Sequence, residues 1–277
     1  VGCTSRNCGG GSSPWISWVS GEECRNGRLL QVDPTGQRHP QPLAIPDLGF
    51  YESFAADPRR SHYFATEDHE QGPLRKWIPN RKTGEWSELH GPGQLSYLLL
   101  QPANNNQGTY SWTTNRQHAN NNARANYPNA EGIDYYDGQL FFASKGFKAM
   151  FVLDLDGNTY TRHSTRSWLF DGQPDQITRI LNHGNGDNVR AVEDELLYFT
   201  EDGSGDRHGI HARDANGRFL TILESRRHKS ETTGLAFSPD GRHMYFAHQV
   251  EGKLFDVTRT DGLPFHAKTL NIRYHTK

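Results

Sequence analysis

The chain has 277 residues, a formal net charge of −2 and a mean hydropathy of −0.83, yet aromatic residues make up 11% of it. Disordered chains are poor in aromatic side chains, so this composition predicts a folded protein with polar loops. The small net charge gives no basis for binding nucleic acid or anionic membranes. The longest apolar run surrounds Leu98, Leu99 and Leu100, far short of the roughly 18 residues of a membrane-spanning helix.

The first residues of the chain differ in composition from the rest. Residues 1–14 are rich in glycine and serine, which is typical of a flexible arm. Because the sequence begins with Val1 rather than methionine, we expect a processed N-terminus and an exported or organelle-lumen protein. Cys3, Cys8 and Cys24 lack the spacing of a zinc site and allow one disulfide with one remaining thiol.

A hairpin pattern with a carboxylate at its open end recurs along the chain. In residues 52–68 an apolar run leads into the turn at Asp57, and a second apolar run ends at Glu67. Because a tight turn makes the two strands antiparallel, we expect Glu52 and Glu67 at the same edge, opposite the turn. The pattern returns, complete or in part, at Glu22-Glu23, Glu131, Glu201-Asp202 and Glu231.

Each hairpin is followed by a further strand candidate that ends in an Asp and a glycine-containing turn. Strand groups that repeat about every 40 residues are typical of propeller blades. We therefore predict an all-β fold, a single β-propeller of five or six blades with long polar loops, over residues 15–277. The sixth blade is expected partly from residues 86–115. The asparagine-rich residues 104–129 are predicted to form a long loop, and a short helical turn is predicted after Pro174.

The recurring carboxylates predict a metal site. Clustered carboxylates repel one another, and a bound cation is the usual compensation. Calcium takes roughly six to eight oxygen ligands, so it suits carboxylates that several blades contribute at one end of a central channel. The candidate ligands are Glu22, Glu23, Glu52, Glu67, Glu131, Glu201 and Glu231.

Four segments, in this order, carry a resemblance to a known family: SWVSGEE (17–23), YFATEDHEQGPLRKWIP (63–79), AEGIDYYDGQLFFASKG (130–146) and ETTGLAFSPDGRHMYFAHQ (231–249). They resemble the PhoX-type alkaline phosphatases, in which a propeller holds calcium and iron ions at one end of its channel. The resemblance therefore implies the same fold and a metal centre. Where the family has an iron-binding cysteine before two glutamates, this chain has Gly21, and Cys24 lies on the other side of the pair. We therefore expect calcium without thiolate-bound iron.

The resemblance also implies hydrolysis of a small phosphoester, a reaction that needs positive charge near the phosphoryl oxygens. Lys145, Arg207 and His208 follow the presumed ligand strands and are the candidate catalytic residues. Because Gly21 replaces the cysteine, a second hypothesis is a non-catalytic propeller that serves as a structural subunit or docking platform for a protein partner. A third hypothesis is a calcium-dependent lactonase or arylesterase.

Overall fold

The computed structural model describes residues 4–166, 173–179, 196–202 and 208–275. Their contacts divide the chain into two compact units, unit 1 (Val1–Arg162) and unit 2 (His163–Lys277). The described residues are mainly antiparallel β-strands with one α-helix and two short 3₁₀ helices, Trp86–His90 and Ala267–Thr269. The predicted all-β class is therefore confirmed. The single domain over 15–277 stays a prediction.

Unit 1 is built on a thirteen-stranded antiparallel sheet. Its strands are β1 (Asn7–Ser12), β2 (Trp18–Gly27), β3 (Leu29–Val32), β4 (Gln41–Pro42), β5 (Gly49–Asp57), β6 (His62–Glu67), β7 (Arg75–Pro79), β8 (Gly93–Pro102), β9 (Gln107–Thr113), β10 (Ala130–Tyr136), β11 (Gln139–Ser144), β12 (Ala149–Asp154) and β13 (Thr159–Ser164). Strands β1–β4, β5–β9 and β10–β13 form three meanders. Pairing of β2 with β5 and of β9 with β13 joins them.

Unit 2 contains two further meanders. The first has four strands, β14 (Gln173–Arg179), β15 (Leu196–Asp202), β16 (His208–Asp214) and β17 (Phe219–Ser225). The second has three, β18 (Thr232–Phe237), β19 (His243–His248) and β20 (Lys253–Thr258). Buried Tyr198, Ile210 and Met244 lie in one core cluster that draws on both meanders.

The asparagine-rich segment is not the predicted loop. It forms β9 and the helix α1 (Arg116–Asn126), whose N-cap Asn115 accepts a hydrogen bond from the His118 backbone N at 3.0 Å. The amide of Asn122 bonds both the backbone N and the carbonyl of Leu100 at 2.9 Å, so α1 is fastened to β8. These asparagines therefore cap and anchor a helix instead of loosening a loop.

Two other sequence expectations differ from the structure. Residues 86–115 do not begin a separate strand group, because β8 pairs with β7 and β9 pairs with β8, which extends the second meander. The residues after Pro174 continue strand β14, in which Ile177 is buried and pairs with Phe199, so the predicted helical turn is wrong.

The segment predicted as a flexible arm contains strand β1, which pairs with β2. Its glycines allow close packing: a Cβ on Gly11 would lie 1.8 Å from the backbone O of Phe54. The Ser53 hydroxyl also donates to the carbonyl of Gly10 at 2.8 Å. Only glycine fits against β5 at this distance, so the glycine run marks a buried backbone contact.

The first strand of every meander carries a bulge, in which two residues face one residue of the second strand. The paired residues are Cys8-Gly9 opposite Gly21, Glu52-Ser53 opposite Thr66, Glu131-Gly132 opposite Ala143, Asp175-Gln176 opposite Thr200, and Gly234-Leu235 opposite Phe246. A bulge changes the direction of a side chain without adding a turn. In unit 1 the first residues of the three bulges are Cys8, Glu52 and Glu131, which carry one thiol and two carboxylates.

Candidate metal centre

Six side chains from two equivalent strand positions gather in unit 1. The first position is the leading bulge residue of β1, β5 and β10. The residue just before each bulge pairs with a residue of the second strand, and the second position is the residue that comes next along the chain after that partner. We call the six residues the acidic cluster: Cys8, Glu52 and Glu131 from the first position, and Glu23, Asp68 and Lys145 from the second.

Cys8, Glu23 and Glu52 form the part of the acidic cluster best suited to a metal ion. Their potential ligand atoms all lie within 4.8 Å of one another. The Cys8 thiol donates a hydrogen bond to Oε1 of Glu52 at 3.1 Å, and Glu52 is only 2% exposed. Burial, followed by the charge of Asp68, raises the pKa of Glu23, while nearby Lys145 lowers it. A bound cation would relieve this repulsion.

Lys145 is the cation already present in the acidic cluster. Its Nζ lies 2.7 Å from Oε1 of Glu131 and 2.9 Å from Oδ2 of Asp68. The Asn129 amide donates to the other oxygen of Asp68 at 2.8 Å. Glu131 in turn lies within 4.8 Å of Glu52, measured between carboxylate oxygens. The ion pairs of Lys145 and the Cys8, Glu23 and Glu52 group therefore adjoin one another.

Position 21 has no room for a side chain. A Cβ at Gly21 would lie 2.6 Å from the backbone O of Tyr51, so no side chain fits there. Cys8 faces Gly21 across the β1 bulge and brings a thiol to the same level of the sheet. The expectation of calcium without thiolate-bound iron considered Gly21 and Cys24 but not Cys8, and it stays a prediction. Cys24, also reduced, is not among the three clustered ligands.

Arg6 is a neighbouring residue that sequence analysis missed. Its carbonyl accepts a hydrogen bond from the Glu23 backbone N at 2.9 Å, and its side chain is exposed. The positive charge of Arg6 is among the influences that lower the pKa of Glu23. The residue has a φ of +49°, a left-handed conformation that is uncommon for arginine. Nothing in the local sequence signals this placement.

Two of the predicted ligands of unit 1, Glu22 and Glu67, bond backbone groups and are not part of the acidic cluster. They occupy one equivalent register position, each facing the residue before a bulge. Glu22 accepts from the backbone N of Ser5 and of Arg28, both at 3.0 Å. Glu67 accepts from Phe50 N at 3.2 Å and pairs with Arg75 at 2.8 Å.

In unit 2, the equivalent Glu201 accepts from the backbone N of Gly209 at 3.2 Å, and its Oε2 lies 3.3 Å from Nε2 of His211. Glu231 precedes β18, and its Oε1 accepts from the Gln249 amide at 3.3 Å. His208 is 2% exposed at the start of β16, and Arg207 lies outside the described residues. The convergence of Glu201 and Glu231 with Glu52 and Glu131, and the catalytic roles of His208 and Arg207, stay predictions.

Comparison with known proteins shows a likeness of fold. No family model and no curated protein matches the chain. One chain of a crystal structure of a nidogen/laminin complex, a β-propeller, is similar, with a TM-score of 0.55 and 12% identity over 95% of this chain and 79% of that chain. At this identity the likeness concerns the fold alone. Within the described residues, no helix has the length and apolar character needed to cross a membrane.

Proposed function

We propose that the protein is a metal-dependent hydrolase of small phosphoesters, with its metal centre on Cys8, Glu23 and Glu52. The observation that carries the proposal is the placement of one thiol and two carboxylates within 4.8 Å of one another. They come from three strands, β1, β2 and β5, so the sheet itself sets their spacing. A site positioned by paired strands is rigid, as a catalytic metal centre requires.

The finer fold belongs to the same proposal. We infer that the five meanders are blades of a β-propeller, as the sequence predicts. Two observations support this arrangement. A bulge is repeated in the first strand of each meander. The chain is also similar to a propeller chain, with a TM-score of 0.55. Five meanders are present among the described residues, so five blades fit better than six.

The donor set favours a transition metal over the calcium predicted from sequence. Thiolate is a soft ligand that selects ions such as zinc or iron, whereas calcium takes oxygen ligands almost exclusively. Binding would require the Cys8 proton to leave for solvent, because both the thiolate and the Glu52 carboxylate must be unprotonated to hold the ion. The hydrogen bond from the thiol to Glu52 holds the two side chains together beforehand. Such an ion, when bound, supplies Lewis acidity and lowers the pKa of water.

The residues of this chain supply the remaining needs of the reaction. Arg6 is exposed beside Glu23 and is the cation that can hold a phosphoryl oxygen. Glu52 is almost fully buried and hydrogen-bonded, so it keeps the thiol in place before metal binding. Lys145 is engaged by two carboxylates at 2.7 and 2.9 Å, which fits a charge-balancing role better than the substrate contact predicted from sequence.

The test combines elemental analysis with hydrolysis of p-nitrophenyl phosphate. Wild-type protein purified from a metal-replete medium should contain about one transition-metal ion per chain and hydrolyse the ester. Cys8→Ser should lose the metal and at least tenfold in activity. Cys24→Ser is the matched control, because Cys24 is a reduced, half-buried cysteine outside the ligand group, and it should retain both.

Each outcome separates the hypotheses. A Cys8→Ser protein that keeps its full metal content would refute the proposed centre. Wild-type protein that holds the metal but cleaves no phosphoester would refute the hydrolase and favour the non-catalytic platform. If the metal is iron, a visible thiolate-to-iron absorption band should disappear in Cys8→Ser and persist in Cys24→Ser.

A further inference from the structure

We infer that Lys145 is a built-in cation that takes the place of a second metal ion, so that the acidic cluster holds a single ion. For the first ion, the inference rests on the metal centre proposed above. For the place of a second ion, it rests on the position of Lys145 between two carboxylates. The Lys145 ammonium lies between two carboxylates, 2.7 Å from Glu131 and 2.9 Å from Asp68. A calcium ion shared by these two carboxylates would have to occupy the same space.

The register of the meanders identifies Lys145 as the exception at its position. Glu23 follows Glu22, which faces Asn7, and Asp68 follows Glu67, which faces Tyr51. Lys145 follows Ser144, which faces Ala130 in the same way. In unit 2, Asp202 follows Glu201, which faces Pro174. Four meanders thus place an acidic group or its replacement at an equivalent register position, and among these four only the β11 strand has a cation there.

The charges of the cluster need this replacement. Glu23, Glu52, Asp68 and Glu131 are four carboxylates, and Glu131 is only 2% exposed. An uncompensated buried carboxylate is costly, and an opposite charge within about 4 Å is the usual remedy. The ammonium supplies that charge for Glu131 and Asp68 from within the chain. One metal ion at Cys8, Glu23 and Glu52 would then offset further negative charge in the cluster.

Calcium binding tests the inference directly, without any measurement of activity. Metal-free wild-type protein, titrated calorimetrically with calcium chloride, should show no saturable binding at micromolar concentrations. Lys145→Gln removes the ammonium and should bind one calcium ion at least tenfold more tightly than wild type. The double variant Glu131→Gln/Lys145→Gln should lose that gain, because one of the two carboxylates is gone.

Two controls keep the result interpretable. Lys82→Gln removes an exposed lysine whose Nζ bonds the carbonyl of Arg60, and it should behave as wild type. Lys145→Arg retains a cation and should exclude calcium. This variant provides a second comparison with wild type if Lys145→Gln proves unstable without the ion. Wild-type or Lys145→Arg protein that binds calcium as tightly as Lys145→Gln would overturn the inference. Cys8→Ser should leave calcium exclusion unchanged, so failure of the first metal centre is read separately.

Discussion

The Sγ atom of Cys8 lies 3.1 Å from Oε1 of Glu52, although 44 positions separate the two residues. The contact brings together the leading bulge residues of two meanders, β1 and β5. The hydrogen bond holds the thiol next to the buried carboxylate, so both potential ligand atoms are in place before a metal binds. The pair therefore joins the glycine-rich N-terminal segment to the proposed function.

Arg6 should govern substrate affinity more than turnover. Its guanidinium is exposed, and its positive charge lowers the pKa of Glu23, so in the proposed hydrolase it is the candidate contact to a phosphoryl oxygen. Arg6→Gln should raise KM for p-nitrophenyl phosphate about tenfold, which corresponds to about 1.4 kcal/mol, with little change in kcat. Arg25→Gln removes an exposed arginine that lies in β2, and this variant should leave KM unchanged. Equal KM values in all three proteins would exclude the substrate contact.

Gly21 should not tolerate a side chain. A side chain at this position would meet the backbone O of Tyr51 at 2.6 Å. Gly21→Ala should lower the free energy of unfolding by about 1–3 kcal/mol, since the strands must move apart. Gly91→Ala is the control, because nothing lies within 4 Å of a Cβ there. Urea denaturation of both variants measures the difference, and equal stabilities would contradict the structure.

Arg75 should be the most sensitive charged residue of unit 1. It is fully buried, 2.8 Å from Glu67 and 2.9 Å from Asp47. Burial lowers the pKa of Arg75, but Tyr51, Glu67 and Asp47 together raise it by more than burial lowers it. The pKa is therefore raised overall, and the group stays charged. Arg75→Met leaves the Glu67 carboxylate buried beside an apolar chain and should cost about 3–5 kcal/mol.

The control for Arg75 is an exposed ion pair in the same unit. Arg124 pairs with Glu70 at 3.0 Å, and both side chains are 58% exposed. Arg124→Ala should change the free energy of unfolding by no more than about 1 kcal/mol. Guanidinium chloride cannot be the denaturant here because it screens charges, so urea titrations should be used. Similar losses in Arg75→Met and Arg124→Ala would show that the buried network is unimportant.

His163 should make unit 2 sensitive to acid. Burial, with the nearby charge of Arg213, lowers the pKa of His163 to about 4. Its Nε2 lies 2.9 Å from Nη2 of Arg213 and must be unprotonated to accept that hydrogen bond. The unfolded chain has a histidine pKa of about 6.5, so it binds the proton first. Stability is therefore complete above about pH 6.5 and falls as the pH decreases towards 4.

His163→Gln tests this contribution, because glutamine can accept from Arg213 but does not titrate. The loss of unfolding free energy between about pH 7.5 and about pH 5 should be smaller in this variant than in wild type. His39→Gln provides a control at an exposed position of unit 1. An unchanged pH dependence in His163→Gln would mean that the imidazole has the same pKa in the folded and the unfolded chain.

The sequence predicts the hairpins well because their information is local. Alternating apolar residues, a turn and a carboxylate lie within about 16 positions, and Glu52 and Glu131 are brought together as expected. The same pattern cannot distinguish Glu52 from Glu67. A one-residue difference in register sends one side chain to the acidic cluster and the other to Arg75.

Cys8 was beyond the sequence for another reason. Glycine provides both flexibility and close backbone contact, and composition does not separate the two. The contact of Gly11 with Phe54 that decides between them joins segments 43 positions apart, as does the hydrogen bond from Ser53 to Gly10. The asparagines of α1 pose the same problem, since Asn122 finds its partner in Leu100, 22 positions earlier.

The repeated bulge has a consequence for how such a protein can change. Its extra residue takes no part in the regular ladder, so substituting it leaves the strand pairing intact. Cysteine, glutamate, aspartate and glycine all occupy this place in the five meanders. The scaffold thereby separates the residues that determine chemistry from those that determine folding. A new side chain can therefore be introduced at this place, by evolution or by engineering, through a single substitution that leaves the architecture intact.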